Sequence, residues 1–187
     1  GSALVTILAF AFAALYFRRN RSDPHVQFRE AIENGEIIPF FQPTIDIKSG
    51  KLVGAEVLAR WRKPDGTMVS PANFIPLAER SGLIYPMTHA LMKRACADVG
   101  AAHANRPHIN IAFNLYAGHF ANDAIIGELQ AIFSKSQISL SQIVLEVTER
   151  EPLPDLDLAR DIISRLQKLG IRVAIDDVGT GHGGLSY

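Results

Sequence analysis

From His25 onward, apolar runs of strand length alternate with stretches of helical period. Strand candidates are 37–47 (IIPFFQPTIDI), 52–60 (LVGAEVLAR), 109–114 (INIAFN), 143–148 (IVLEVT) and 171–176 (IRVAID). The last three are almost wholly apolar, which predicts strands buried on both faces of a parallel sheet. Between them, Ile125, Leu129, Ile132 and Phe133 make one helical stripe, and Leu158, Ile162, Leu166 and Leu169 another. Gly170 supplies a cap after the second stripe. The stretches 72–83 and 87–102 also read as helices, with Met87, Leu91, Ala95 and Val99 on one row. Lys48-Ser49-Gly50-Lys51 reads as a hairpin turn between the first two strands. An antiparallel start followed by strand–helix units of about 30 residues defines an α/β fold with right-handed crossovers, either a mixed sheet or a modified barrel.

The N-terminal pattern is different. Residues 3–17 read ALVTILAFAFAALYF, uncharged and apolar all round. At roughly 1.5 Å per residue this gives about 22 Å of helix, short of the roughly 30 Å hydrocarbon core. A buried core helix would carry a polar face, and a signal peptide carries its charges before the apolar run. Here Arg18, Arg19 and Arg21 follow it. The expectation is the C-terminal part of a transmembrane helix at 1–17, leaving the membrane on the cytoplasmic side. A basic juxtamembrane linker at 18–27 follows, with Asp23-Pro24 ending the helix.

Composition narrows the chemistry. The chain has 187 residues, with 19 Lys+Arg balanced by 19 Asp+Glu, so it offers no basic footprint for a nucleic-acid polymer. Its one cysteine, Cys96, excludes an intrachain disulfide framework and cysteine-cluster metal sites, and reads as a small packing residue in a helix. His103, His108, His119 and His182 form no pair at i, i+4 spacing with an acid, and read as solvated or locally bonded. Gly179-x-Gly181-x-Gly183 lacks the later spacing of a dinucleotide fingerprint.

The candidate chemistry lies at strand ends. Asn114 ends one strand, Glu146 lies near the end of the next, and Asp176-Asp177 end the one after; Glu56 lies within an earlier strand. Taken singly, each acid could be a solvated loop residue or a helix cap. In a closed α/β barrel the C-terminal strand ends share a face, so these groups would converge and repel unless a cation neutralised them. Oxygen-only donors select Mg²⁺ or Mn²⁺ over Zn²⁺. Adjacent Asp176 and Asp177 could serve two ions about 3.5–4 Å apart, the spacing used for in-line displacement at phosphorus.

Six ordered blocks carry a family resemblance: FFQPTID at 40–46, GAEVLARW at 54–61, SPANFIPLAERSGLI at 70–84, FNLYAGHF at 113–120, IVLEVTERE at 143–151 and VAIDDVGTGHGGLSY at 173–187. In these blocks the chain resembles the EAL-domain cyclic di-GMP phosphodiesterases over 28–187. The resemblance implies a modified TIM (β/α)8 barrel with an antiparallel first strand, truncated here after about five strands. It implies that Glu56, Asn114, Glu146 and Asp176 ligate a metal, and that Asp177 helps to hold a second Mg²⁺ or Mn²⁺. Glu149 is implied to order the loop after Asp176-Asp177, Gln42 to contact a base, and Arg60 a phosphate. An ordinary surface ion pair is the alternative for Arg60.

The implied reaction is hydrolysis of cyclic di-GMP to linear pGpG in a longer parent protein, with the 187-residue chain itself inactive. A receptor that binds cyclic di-GMP without hydrolysis, and a different metal-dependent barrel enzyme, are the competing functions. The resemblance further implies a homodimer through the EAL domain and a bacterial inner-membrane location with the catalytic domain cytoplasmic. The sequence departs from the family pattern at Val57 (usually Ala), Tyr116 (usually Ser), Val178 (usually Phe) and His182-Gly183-Gly184 (usually Tyr-Ser-Ser).

Overall fold

A computed structural model of the protein describes Val5, Ile7 and residues 23–148 and 153–176. Helix α1 (Pro24–Glu33) begins where Asp23 caps it, its carboxylate accepting the His25 amide at 2.8 Å, and Pro24 occupies the first turn. This helix starts inside the segment read as a linker, and it buries Phe28 and Ala31. The chain then forms β1 (Ile37–Ile45), β2 (Leu52–Arg62) and a two-residue strand β3 (Met68–Val69). Helices α2 (Pro71–Ser81) and α3 (Ile84–His103) follow. Next come β4 (Asn110–Leu115), a 3-10 turn (Ala117–Phe120), α4 (Ala124–Phe133), a second 3-10 turn (Leu140–Gln142), β5 (Ile143–Thr148), α5 (Leu156–Lys168) and β6 (Arg172–Asp176).

The sheet order is β1-β2-β4-β5-β6, with β3 paired to β2. β1 and β2 are antiparallel, as the hairpin predicted, and the β2–β4, β4–β5 and β5–β6 pairings are parallel. The hairpin turn is fixed by Asp46, whose carboxylate accepts from both the amide and the hydroxyl of Ser49 at 2.7 Å, and by Gly50 at φ 67°. Among the described residues β1 and β6 remain the two ends of the sheet and do not pair, so no closed barrel is formed.

Helical stripes fall where the 3.6 period put them. Ile125, Leu129, Ile132 and Phe133 of α4 are buried, as are Ile162 and Leu166 of α5 and Met87, Leu91 and Ala95 of α3. These pack on the odd-numbered strand residues Val57, Ile111, Phe113, Leu115, Ile143, Leu145 and Val147, all buried. Within the same core, the rings of Phe28, Trp61 and Phe74 have centroids 5.2 to 6.1 Å apart.

The expectation of strands buried on both faces is corrected by the alternation itself. Even-numbered Val144 and Glu146 are half-buried and Asn114 is exposed. Helices cover one face only, and no second layer covers the other among the described residues. Residues 1–17, apart from Val5 and Ile7, lie outside the described residues; among those described, no helix is long and apolar enough to cross a membrane.

Candidate active site at the strand ends

Register decides which polar groups meet. Side chains alternate across a sheet with period two, and neighbouring strands lie about 4.8 Å apart. Gln42 of β1 stands opposite Glu56 of β2, and Glu56 opposite Ala112 of β4. Asn114, two residues beyond Ala112, stands opposite Glu146 of β5, which in turn faces Ala174 of β6. Asp176 ends β6 opposite Thr148, in the same alternation phase as Ala174. Glu56, Asn114, Glu146 and Asp176 therefore occupy one row across four consecutive strands, on the face that the helices leave uncovered. The first two are in direct contact: the Asn114 amide Nδ2 donates to Glu56 Oε1 at 2.6 Å.

The donor set is all oxygen, apart from the Asn114 amide nitrogen, which would turn away to present Oδ1. Two carboxylates on one sheet face, one already drawing in an amide donor, are the chemistry that a hard cation neutralises. Among the described residues no group of three His, Cys, Asp or Glu side chains gathers tightly enough to hold a metal by itself. The expected set contains an amide, and the Asp176 side chain, Asp177 and Glu149 lie outside the described residues. The described donors, two carboxylates and an amide oxygen, fit an oxygen-coordinated ion.

Arg60, four residues beyond Glu56, lies in the same phase and about 13 Å further along β2 at roughly 3.3 Å per residue. It makes no ion pair among the described residues. Its Nη1 donates to the Ala59 carbonyl at 2.9 Å, and its guanidinium lies over the Phe40 ring, 5.5 Å from the centroid. Arg60 and Asn114 both line a cavity of about 270 Å³ at the C-terminal ends of β2 and β4, together with Glu79, Thr88 and Tyr116. Gln42 is exposed at the other side of Glu56. A larger cavity of about 530 Å³ lies between α3 and α4, against Lys93, Cys96 and Lys135, and touches none of the strand-end groups.

The remaining titratable residues are structural. His119 is buried, with Nδ1 2.9 Å from the Tyr116 carbonyl, and burial holds its imidazole below the ordinary value. His103 bonds locally to the Val99 carbonyl at 3.2 Å. Burial pushes the Cys96 thiol up, which keeps it an unreactive packing group. Thr88, which lines the cavity, and Phe40, whose ring meets the Arg60 guanidinium, are residues that sequence reasoning missed. Phe40 was detectable in principle, since it precedes Gln42 by two positions and so shares its face.

The α/β sheet thus has an antiparallel first strand and carries acids and an amide on one face of its parallel strands. Residues 25–187 match the EAL domain family model, and the chain belongs to that family. It is 41% identical over 196 aligned residues to a probable cyclic di-GMP phosphodiesterase, PdeG, of Escherichia coli (strain K12), covering 98% of this chain and 37% of that protein. It is 38% identical to a second from the same organism, the probable cyclic di-GMP phosphodiesterase PdeB, covering 98% of this chain and 35% of that protein. Among solved structures, the PaMucR phosphodiesterase in complex with c-di-GMP superposes with a TM-score of 0.75 at 30% identity, over 84% of this chain and 64% of that one. The chain thus spans little more than a third of the length of these two curated relatives.

Proposed function

We propose that the full-length protein hydrolyses one phosphodiester of cyclic di-GMP to give linear pGpG, using Mg²⁺ or Mn²⁺ held at Glu56, Asn114, Glu146 and Asp176, with Asp177 beside a second ion. The observation that supports this reading is the strand register that sets Glu56, Asn114, Glu146 and Asp176 in one alternation phase, with Asn114 and Glu56 already in contact. The named activities of the relatives support the same substrate. Bound there, such ions would supply the Lewis acidity that activates water and neutralises charge on the leaving oxygen.

The chain's own residues do the rest. Glu56 and Glu146 provide the negative charge that attracts the ions, and Asn114, which meets Glu56 through its amide nitrogen, would turn its amide oxygen to the ion. Arg60, one nitrogen committed to the Ala59 carbonyl, turns its remaining N–H donors to the phosphate oxygens. Gln42 offers an amide to a guanine edge, and Glu149 orders the loop that follows Asp176-Asp177. Three further readings go with this function: a modified TIM barrel completed beyond the five main strands, a homodimer through this domain, and attachment to the inner membrane by residues 3–17 with the domain on the cytoplasmic side. The apolar run ending in Arg18, Arg19 and Arg21 supports the last. The unjoined ends of the sheet support negligible turnover by the 187-residue chain alone.

The test is release of pGpG from cyclic di-GMP by the full-length protein with Mn²⁺ or Mg²⁺, compared with its Glu56→Ala variant. Metal-dependent release that the substitution abolishes is expected, and equal release from both proteins would sink the reading. The glycine-rich replacement at His182-Gly183-Gly184 favours a second reading, a receptor that binds the nucleotide without cleaving it. Tight binding with no pGpG formed would mark that outcome.

A further inference from the structure

Three of the described arginines are held by acids, whereas Arg106 bonds to the Ala102 carbonyl and Arg172 to the Asn110 side chain. Arg94 pairs with Asp98 at 2.9 Å, Arg160 with Asp157 at 3.1 Å, and Arg165 with Asp123 at 3.1 Å. Arg60 is held without one. A backbone carbonyl takes one guanidinium nitrogen, and the face of the Phe40 ring lies beneath the group. Phe40 stands opposite Leu58 in the β1–β2 register, which makes Arg60 its diagonal neighbour on the same face. The ring is 48% exposed, although phenylalanine ordinarily goes inside. The exposed ring is the surface on which the Arg60 guanidinium rests.

The choice of partner matters for what Arg60 can then bind. A carboxylate would fix the side chain but neutralise it. An aromatic face attracts the cation through its quadrupole and leaves the full positive charge available. We propose that Phe40 is a positioning residue for the anionic ligand: its ring holds the Arg60 guanidinium at the mouth of the strand-end cavity with its charge uncompensated, so that a phosphodiester of the substrate can occupy the remaining donors. This rests on the reading of Arg60 as the phosphate contact of a cyclic di-GMP phosphodiesterase.

Steady-state kinetics of the full-length protein with Mg²⁺ and cyclic di-GMP test it. An exposed cation–π contact sets the expected scale, so Phe40→Leu should raise KM about two- to fivefold with kcat and Tm nearly unchanged. Phe40→Trp, which restores an aromatic face, should return KM to the wild-type value or below. In an Arg60→Ala background, Phe40→Leu should have no further effect. Phe40→Met serves as the second ring-free variant should the leucine protein fail to fold.

An unchanged KM in both ring-free variants would overturn the assignment. So would an equal rise in KM with and without Arg60, which would make Phe40 a wall of the cavity and not a support for the arginine. A wild-type protein without turnover would instead overturn the function on which the assignment depends, so the two failures are distinguishable.

Discussion

Gly118→Ala is the substitution whose cost is most directly visible in the geometry. Gly118 sits in the turn Ala117–Phe120 immediately after β4, the strand that carries Asn114. It is not one of the positive-φ glycines, so the objection to a side chain is space alone. A Cβ there would stand 2.5 Å from Tyr116 Cε1, 2.8 Å from Tyr116 Cδ1 and 2.5 Å from the Tyr85 hydroxyl oxygen. Comfortable separations are about 3.5–4.0 Å, so each ring must retreat by roughly 1 Å. Neither is free to do so without loss, because Tyr85 packs edge-on to Tyr116 at 6.4 Å and against the buried His119 ring at 4.8 Å. Overpacking of this kind costs about 1–3 kcal/mol, offset by about 0.4–1 kcal/mol from the stiffer unfolded chain. A net loss of about 1–2 kcal/mol is expected, and with a urea m value near 2 kcal/mol/M the midpoint falls by about 0.5–1 M. Urea unfolding followed through the single tryptophan, Trp61, reads it. Tyr116→Ser removes two of the three close atoms, so in that background the loss should shrink by more than half. An unchanged midpoint for Gly118→Ala, or the same loss with and without the Tyr116 ring, would refute the steric argument.

Three further outcomes are expected. Trp61→Phe should cost about 1–2 kcal/mol, because it removes the Nε1 donor to Glu36 Oε2 at 2.9 Å and thins the packing on Phe28 and Phe74; urea unfolding followed by circular dichroism, with and without Glu36→Leu, which removes the acceptor, separates the hydrogen bond from the packing. Asp155→Ala should cost about 1 kcal/mol, since the carboxylate caps α5 by accepting from the amides of Asp157 and Leu158 at 3.0 Å, and an Asp155→Asn variant that restores the midpoint would identify the cap as the cause. His119 gives a signed pH effect. Burial, opposed by its bond to Tyr116 and by the charge of Glu128, holds its folded pKa below the ordinary 6.5. The unfolded chain therefore takes up the proton first. The stability tied to neutral His119 is full above about pH 6.5 and is lost as pH falls from there towards the folded value. Unfolding midpoints at about pH 7.5 and about pH 5.5 should differ less for His119→Phe than for the wild type; an equal difference would exclude His119 as the source.

Much of the fold was legible because its strands are short apolar runs and its helices carry clean stripes. The antiparallel first pair followed from the Lys48–Lys51 turn, and the parallel pairs from the strand–helix spacing. What escaped was contextual. Helix α1 carries an N-cap at Asp23 and a proline in its first turn, but its polar surface and low apolar content hid the burial of Phe28 and Ala31. The apolar strands suggested burial on two faces, whereas helices cover only one, because hydrophobicity along a strand does not say what lies opposite each side. That Glu56, Asn114 and Glu146 share one sheet face follows from the period of two along each strand, while the offset of Glu56, opposite Ala112, is set by a register that no local pattern encodes. The Phe40 support for Arg60 was not legible either, since it depends on a diagonal contact across the β1–β2 register. Asp177 and Glu149 lie outside the described residues.

The most direct test of the centre itself is anomalous diffraction at the manganese edge from crystals of the full-length protein grown with Mn²⁺ and cyclic di-GMP. The expected result is an anomalous peak ligated by Glu56, Asn114, Glu146 and Asp176, with the nucleotide's phosphodiester beside it and the Arg60 guanidinium on a phosphate oxygen. Nucleotide density with no manganese at those side chains, or manganese bound by a different set of residues, would contradict the assignment.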